Sequence, residues 1–188
     1  MIQIILAILL FASTSFAAGP AMMVGGGTGA AVTYYGYVGA GGTDDVLSGY
    51  EVHNAARVVT VVTGGAVVEL SGYFKTTGAA GNILLALYSA DRSTKICEGS
   101  AQVSVSSASY SWVGHTTGGL TGTCTVSSST NYTLSATADG TDVNLDYISG
   151  KTAGDDKYIA SDYTAGYPST LGDGSNTTGW FKIRVGVQ

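Results

Sequence analysis

The sequence predicts an all-β protein, an antiparallel β-sandwich with an extended N-terminal segment, and three observations predict it. Short runs rich in Val, Ile, Thr and Tyr recur between glycine-rich turns along the 188 residues. Glycine, at 28 residues, is about twice its usual share, whereas proline occurs only 2 times. No segment sustains a helical period between capping residues.

The first element reads as a targeting signal. Residues 4–12 form an apolar run too short to span a bilayer, and Ser13-Thr14-Ser15-Phe16-Ala17 follow in the small-residue pattern that signal peptidase cuts. Cleavage is expected after Ala17, leaving a secreted or cell-surface chain without membrane contact. The n-region offers only the terminal amine as a positive charge, so a short N-terminal anchor is the competing reading.

Residues 18–43 form a glycine-rich extension, because Asp44 is the first charged side chain of the sequence. Within it, Ala31-Val32-Thr33-Tyr34-Tyr35-Gly36-Tyr37-Val38 reads as a strand on flexible tethers. Val32, Tyr34 and Val38 face one side, and Thr33, Tyr35 and Tyr37 the other. A soluble domain gains nothing from leaving such an uncharged, tyrosine-rich strip in water, so it should pair with a sheet edge. Its own sandwich and a neighbouring copy are equally good sources of that edge.

Residues 44–188 read as one sandwich domain, large enough to bury a core. The segments Arg57–Thr63 and Ala66–Leu70 flank Gly64-Gly65 and read as a hairpin, with the second strand continuing to Lys75. Asn82–Tyr88 is short and apolar on both faces, which favours a buried strand over a helix. Further strands are expected at Ile96–Val105, Tyr110–His115 and Val143–Ile148. In Tyr132–Ala138 alternation puts Tyr132, Leu134, Ala136 and Ala138 inward and Thr133, Ser135 and Thr137 outward. Near the end, Phe181, Ile183, Val185 and Val187 face inward against Lys182 and Arg184. Gly150–Gly179 reads as loop-rich. Such an order of short strands favours a jelly roll, and no fixed repeat points to a propeller or solenoid.

The segments Asn82–Asp91 and Asn131–Ala136 resemble strands of jelly-roll modules in secreted bacterial surface and carbohydrate-binding proteins. The resemblance implies a non-catalytic sandwich used for binding or assembly, and it carries no ligand residues.

Net charge is −5, with 8 Lys and Arg scattered along the chain, so no basic stripe exists to track nucleic acid. Cys97 and Cys124, in an oxidising compartment, are expected to form a disulfide contributing about 3 to 4 kcal/mol; two buried thiols are the alternative. His53 and His115 lack metal-ligand spacing, and there is no nucleophile elbow. Ser149-Gly150-Lys151-Thr152 ends like a phosphate loop but has Leu145 where the first glycine belongs. Glu69 and Glu98 are the strand carboxylates that a glycosidase pair would need; lone wet-face carboxylates are the simpler reading, and no enzyme is predicted. Aspartates in loops, among them Asp139, Asp142 and Asp173, could hold calcium, but they suit turns better and no cofactor is predicted. Tyr147, Tyr158, Tyr163, Tyr167 and Trp180 are candidates for stacking on sugars. Asn131 and Asn176 begin glycosylation acceptor sequences.

Two functions follow. The first is a structural subunit of an extracellular fibre, in which Val32, Tyr34, Tyr35, Tyr37 and Val38 add as a strand to the next copy. Val32, Tyr34 and Val38 would be inserted, Met22-Met23-Val24 would make a second contact, and the homopolymer would run head to tail. The second is a monomeric carbohydrate-binding or adhesive module with glycans as partners.

Overall fold

The computed structural model describes residues 30–36, 43–46, 53–139, 142–148, 156–160, 163, 165–176 and 180–188. In chain order the strands are β1 (Thr33–Gly36), β2 (Thr43–Val46), β3 (His53–Val61), β4 (Gly65–Thr76), β5 (Gly81–Ser89), β6 (Lys95–Gly99), β7 (Val103–Val105) and β8 (Ser111–Thr116). A short 3-10 turn at Thr117–Gly119 leads to β9 (Leu120–Gly122), β10 (Thr125–Val126), β11 (Thr130–Ala138), β12 (Val143–Ile148), β13 (Asp156–Ala160), β14 (Ser175–Asn176), β15 (Trp180–Phe181) and β16 (Ile183–Val187). They form two antiparallel sheets packed as a sandwich, and the chain crosses between the sheets at most of its connections.

In the first sheet the long strand β4 is central. β8 and β16 pair with the same stretch of β4, so they lie on its opposite sides. β12 takes over from β16 alongside Phe74–Thr76. Beyond β16 lies β1, and beyond β12 lies β2, so these two N-terminal strands lie along the same margin of this sheet. The second sheet runs β14-β13-β3-β11-β5-β6-β9, with β7 beside β5.

The main core lies between the sheets. Leu70 and Phe74 from β4 and Ile183 and Val185 from β16 meet Ile83, Leu85 and Leu87 from β5 and Leu134 from β11. The residues expected to face inward, Tyr132, Leu134, Ala136 and Ala138 and Phe181, Ile183, Val185 and Val187, all belong to this core. The disulfide joins Cys97 of β6 to Cys124, whose carbonyl accepts from Val67 N at 2.8 Å, and so ties one sheet to the other.

Three expectations are corrected. β3 and β4 are not a hairpin: β3 pairs with β11 and β13 in one sheet, β4 with β8, β12 and β16 in the other. Both strands are apolar enough to sit inside a sheet, so each finds partners along both of its edges, and residues 62–64 arch across the end of the sandwich. Gly64 permits that arch, since a Cβ there would lie 2.6 Å from Ser128 N and Val126 O. The run Ile96–Val105 is two strands, β6 and β7, laid end to end against β5. Finally, Thr133, Ser135 and Thr137 are not wet but buried. Part of the supposed loop region covers the outer face of the second sheet, where Tyr167, Leu171 and Ile159 pack on Leu84, Ala86 and Tyr88. Burial on both faces explains why β5 is apolar at every position from Ile83 to Leu87.

The same cover is pinned from outside. Asp173 accepts from Arg92 and Lys157 at 2.7 Å each, and these two cations hold its carboxyl well below the usual range. On the first sheet, Lys182 points outward as expected yet is 3% exposed, paired to Asp146 at 5%. That pair fills the joint where β12 hands over to β16.

Candidate functional site

The candidate site is the seat of β1. Four residues pair with β16 in the register Thr33 with Val187 through Gly36 with Arg184. Tyr35 points inward: it packs against the main core, and its hydroxyl accepts from Thr63 N at 2.9 Å. Val32 and Tyr34 lie outward, each 41% exposed. The expectation that Val32 and Tyr34 are the inserted side is therefore corrected; Tyr35 is the inserted residue, because its register partner Val185 faces the core. Tyr37, Val38, Met22, Met23 and Val24, like the signal at residues 1–17, lie outside the described residues.

Tyr34 is held by a built clamp. Opposite it stands Gly186, where a Cβ would approach the Tyr34 ring to 3.0 Å, so the absent side chain makes the room. The Tyr34 hydroxyl donates to Glu69 Oε2 at 2.9 Å, and the Arg184 guanidinium lies 4.0 Å from the Tyr34 ring centre. The same guanidinium also lies 4.0 Å from the Trp112 ring centre. Arg184 in turn donates to Glu69 Oε1 at 2.9 Å and to Ser71 Oγ at 3.0 Å. Burial raises the Glu69 carboxyl, but hydrogen bonds from Ser71, Arg184 and Tyr34 outweigh it and hold the group below its ordinary value. Burial and the bond to Glu69 raise the Tyr34 phenol.

The clamp is one end of a ladder of planar groups. Trp112 tilts against Tyr73 at 5.3 Å, Tyr73 stacks on Tyr110 at 5.4 Å, and Lys75 lies 4.7 Å over Tyr110. The ring faces are thus largely taken up by one another and by cations. The ladder acts as a brace that carries Tyr34 rather than as an empty stacking surface. Sequence reasoning missed it because Tyr73, Trp112 and Arg184 come from three strands whose register no periodicity reveals. The only local sign was outward parity in each strand.

The five rings expected to stack on sugars do not form one row. Tyr167 is 4% exposed beneath the cover, edge-on to Tyr88 and tilted against Tyr163. Tyr147 and Tyr158 pack on Phe181, at 6.3 and 5.2 Å, while Trp180 lies under the Arg57 guanidinium at 4.9 Å. Glu69 and Glu98 do not meet: Glu69 serves the clamp on one outer face, and Glu98 binds Lys95 and Tyr167 N in the other sheet. Asp139 accepts from the Asn82 side chain at 3.0 Å and Asp142 from Ala79 N at 2.9 Å, both closing turns. Among the described residues no three His, Cys, Asp or Glu side chains could hold a metal. Asn131 and Asn176 are both exposed. Among the described residues, no helix is long and apolar enough to cross a membrane.

Fold and site together define a class: a disulfide-bonded antiparallel β-sandwich whose N-terminal segment supplies a clamped marginal strand. The chain matches no protein-family model and no curated protein.

Proposed function

We propose that this protein is a secreted, non-catalytic structural subunit of an extracellular assembly, in which β1 of one copy takes the β1 seat of the next. One observation carries this reading: β1 is a short marginal strand that, among the described residues, pairs with a single neighbour, yet its seat is elaborated well beyond what four residues need. Glycines border the strand on both sides in sequence, and the six residues 37–42 that link it to β2 include three. At an extended reach of about 3.3 to 3.6 Å per residue, that linker spans roughly 20 Å, enough to hand β1 across a contact. Main-chain bonds to β16 supply affinity, and the Tyr34 clamp and inserted Tyr35 fix register. Because the strand and its seat are different surfaces, the contact is head to tail and propagates into a filament unless it closes into a ring.

Negative-stain electron microscopy of the secreted mature chain, beside a chain lacking residues 18–42, tests the proposal. Regular filaments or rings in the first and isolated particles in the second are expected. Discrete monomers in both preparations would sink it, and a folded chain carrying Tyr34→Asp separates loss of the strand from loss of the fold.

A further inference from the structure

The exposed large hydrophobic side chains among the described residues are Val32, Tyr34, Val58 and Val62, and all belong to β1, β3 or the residues beside them. The two strands face each other along one open side of the sandwich, across a groove of about 360 Å³. Tyr34, Tyr35 and Gly36 form one wall; Arg57, Val58 and Thr60 form the other. Among the described residues β1 has no partner on its outer edge, and β13 pairs with β3 only from His53 to Arg57. The groove therefore runs between two unpaired main-chain edges, one from each sheet. Such edges take an extended peptide better than a compact ligand, since each offers alternating donors and acceptors.

We infer that the groove is filled by Met22-Met23-Val24 of the chain that supplies β1. That segment has the right length, and its main-chain groups answer a groove whose exposed lining is mostly polar. It is uncharged, as is every residue of the extension before Asp44, and its three residues fit within the four-residue span of β1. The one cation of the groove wall, Arg57, is already matched by Asp156 at 3.2 Å, so an apolar strand leaves no charge stranded there. The tether also fits. Gln188 Nε2 donates to the Ala30 carbonyl at 2.8 Å, which fixes where the extension enters β1, and Gly25-Gly26-Gly27-Thr28-Gly29 then allows the chain to double back beside it. The donated arm is in this way a two-stranded unit: β1 in its seat, and Met22–Val24 laid between β1 and β3. Which molecule's β3 it touches rests on the strand-exchange reading; that the groove is its site does not.

The test uses Met23→Cys and Val58→Cys, each in the full mature chain and also combined in one chain, with a short thiol-specific cross-linker. Cys97 and Cys124 are already bonded to each other and do not compete. Co-secreted single variants are expected to give a covalent dimer of doubled mass. Cross-linking confined to the double variant, within one chain, upholds the groove as the site while rejecting strand exchange. No cross-link in either sample overturns the inference even where filaments form, and Thr117→Cys, on an exposed turn that follows β8 and bonds to the Val68 carbonyl of β4, serves as the negative control with Met23→Cys.

Discussion

Tyr34 shows how much a single side chain can set. Its hydroxyl bond to Glu69 and its contact with Arg184 are the outward grip on β1, and Tyr35 is the inward one. Tyr34→Phe keeps the ring over the guanidinium and removes the hydrogen bond, which should weaken β1 docking by about 1 kcal/mol; Tyr34→Ala removes both and should weaken it by about 2 kcal/mol. Limited proteolysis between residues 30 and 43 reads both, and equal cleavage of all three chains would count against the clamp. His115 makes a separate prediction. It is 3% exposed, Leu85 N donates to its Nε2 at 3.4 Å, and burial lowers its pKa. Between the lowered folded value and the unfolded value near 6.5, only the unfolded chain binds the proton. Stability is therefore complete above about 6.5 and declines as pH falls below it. Chemical denaturation across that range should show the decline, and His115→Gln, which keeps an acceptor without titrating, should flatten it.

At the scale of elements, the disulfide and the cover over the second sheet do the fastening. Cys97–Cys124 closes a separation of 27 residues and bridges the sheets, so Cys97→Ser with Cys124→Ser should lose about 3 to 4 kcal/mol. A denaturation midpoint unchanged by the double substitution would show that the bridge constrains nothing the fold does not. The strands themselves were largely legible: alternation gave the inward faces of β11 and β16, and an even pair of cysteines, expected to meet an oxidising compartment, gave their bond. Strand partners were not legible, since a period of two tells which way a side chain points and not which strand lies beside it. Arg57–Leu70 reads as a hairpin for that reason. The buried Thr133, Ser135 and Thr137 read as wet for another: their cover is a segment with no periodicity of its own. The site was half legible. An uncharged strand was visible, but its inserted face depends on register with β16, and its clamp depends on Gly186, Glu69 and Arg184 meeting from separate strands.

At the scale of the molecule, β1 and β2 follow one another along one margin of the first sheet, beside β16 and β12. The opposite sheet contributes the facing wall at β3, so margin and groove form one continuous side of the sandwich. Pairings of this kind join residues distant in sequence, and such folds form slowly compared with helical ones. β1 shows the extreme case, for Thr33 pairs with Val187. During synthesis the N-terminal strand is made first and β16, its seat, after every other strand. Throughout that interval β1 has no seat of its own to bind, while under the proposed strand exchange a finished copy already displays a complete β16. Timing would then set local docking in competition with capture by an earlier copy, and the rate at which new chains meet finished ones would control which of the two prevails.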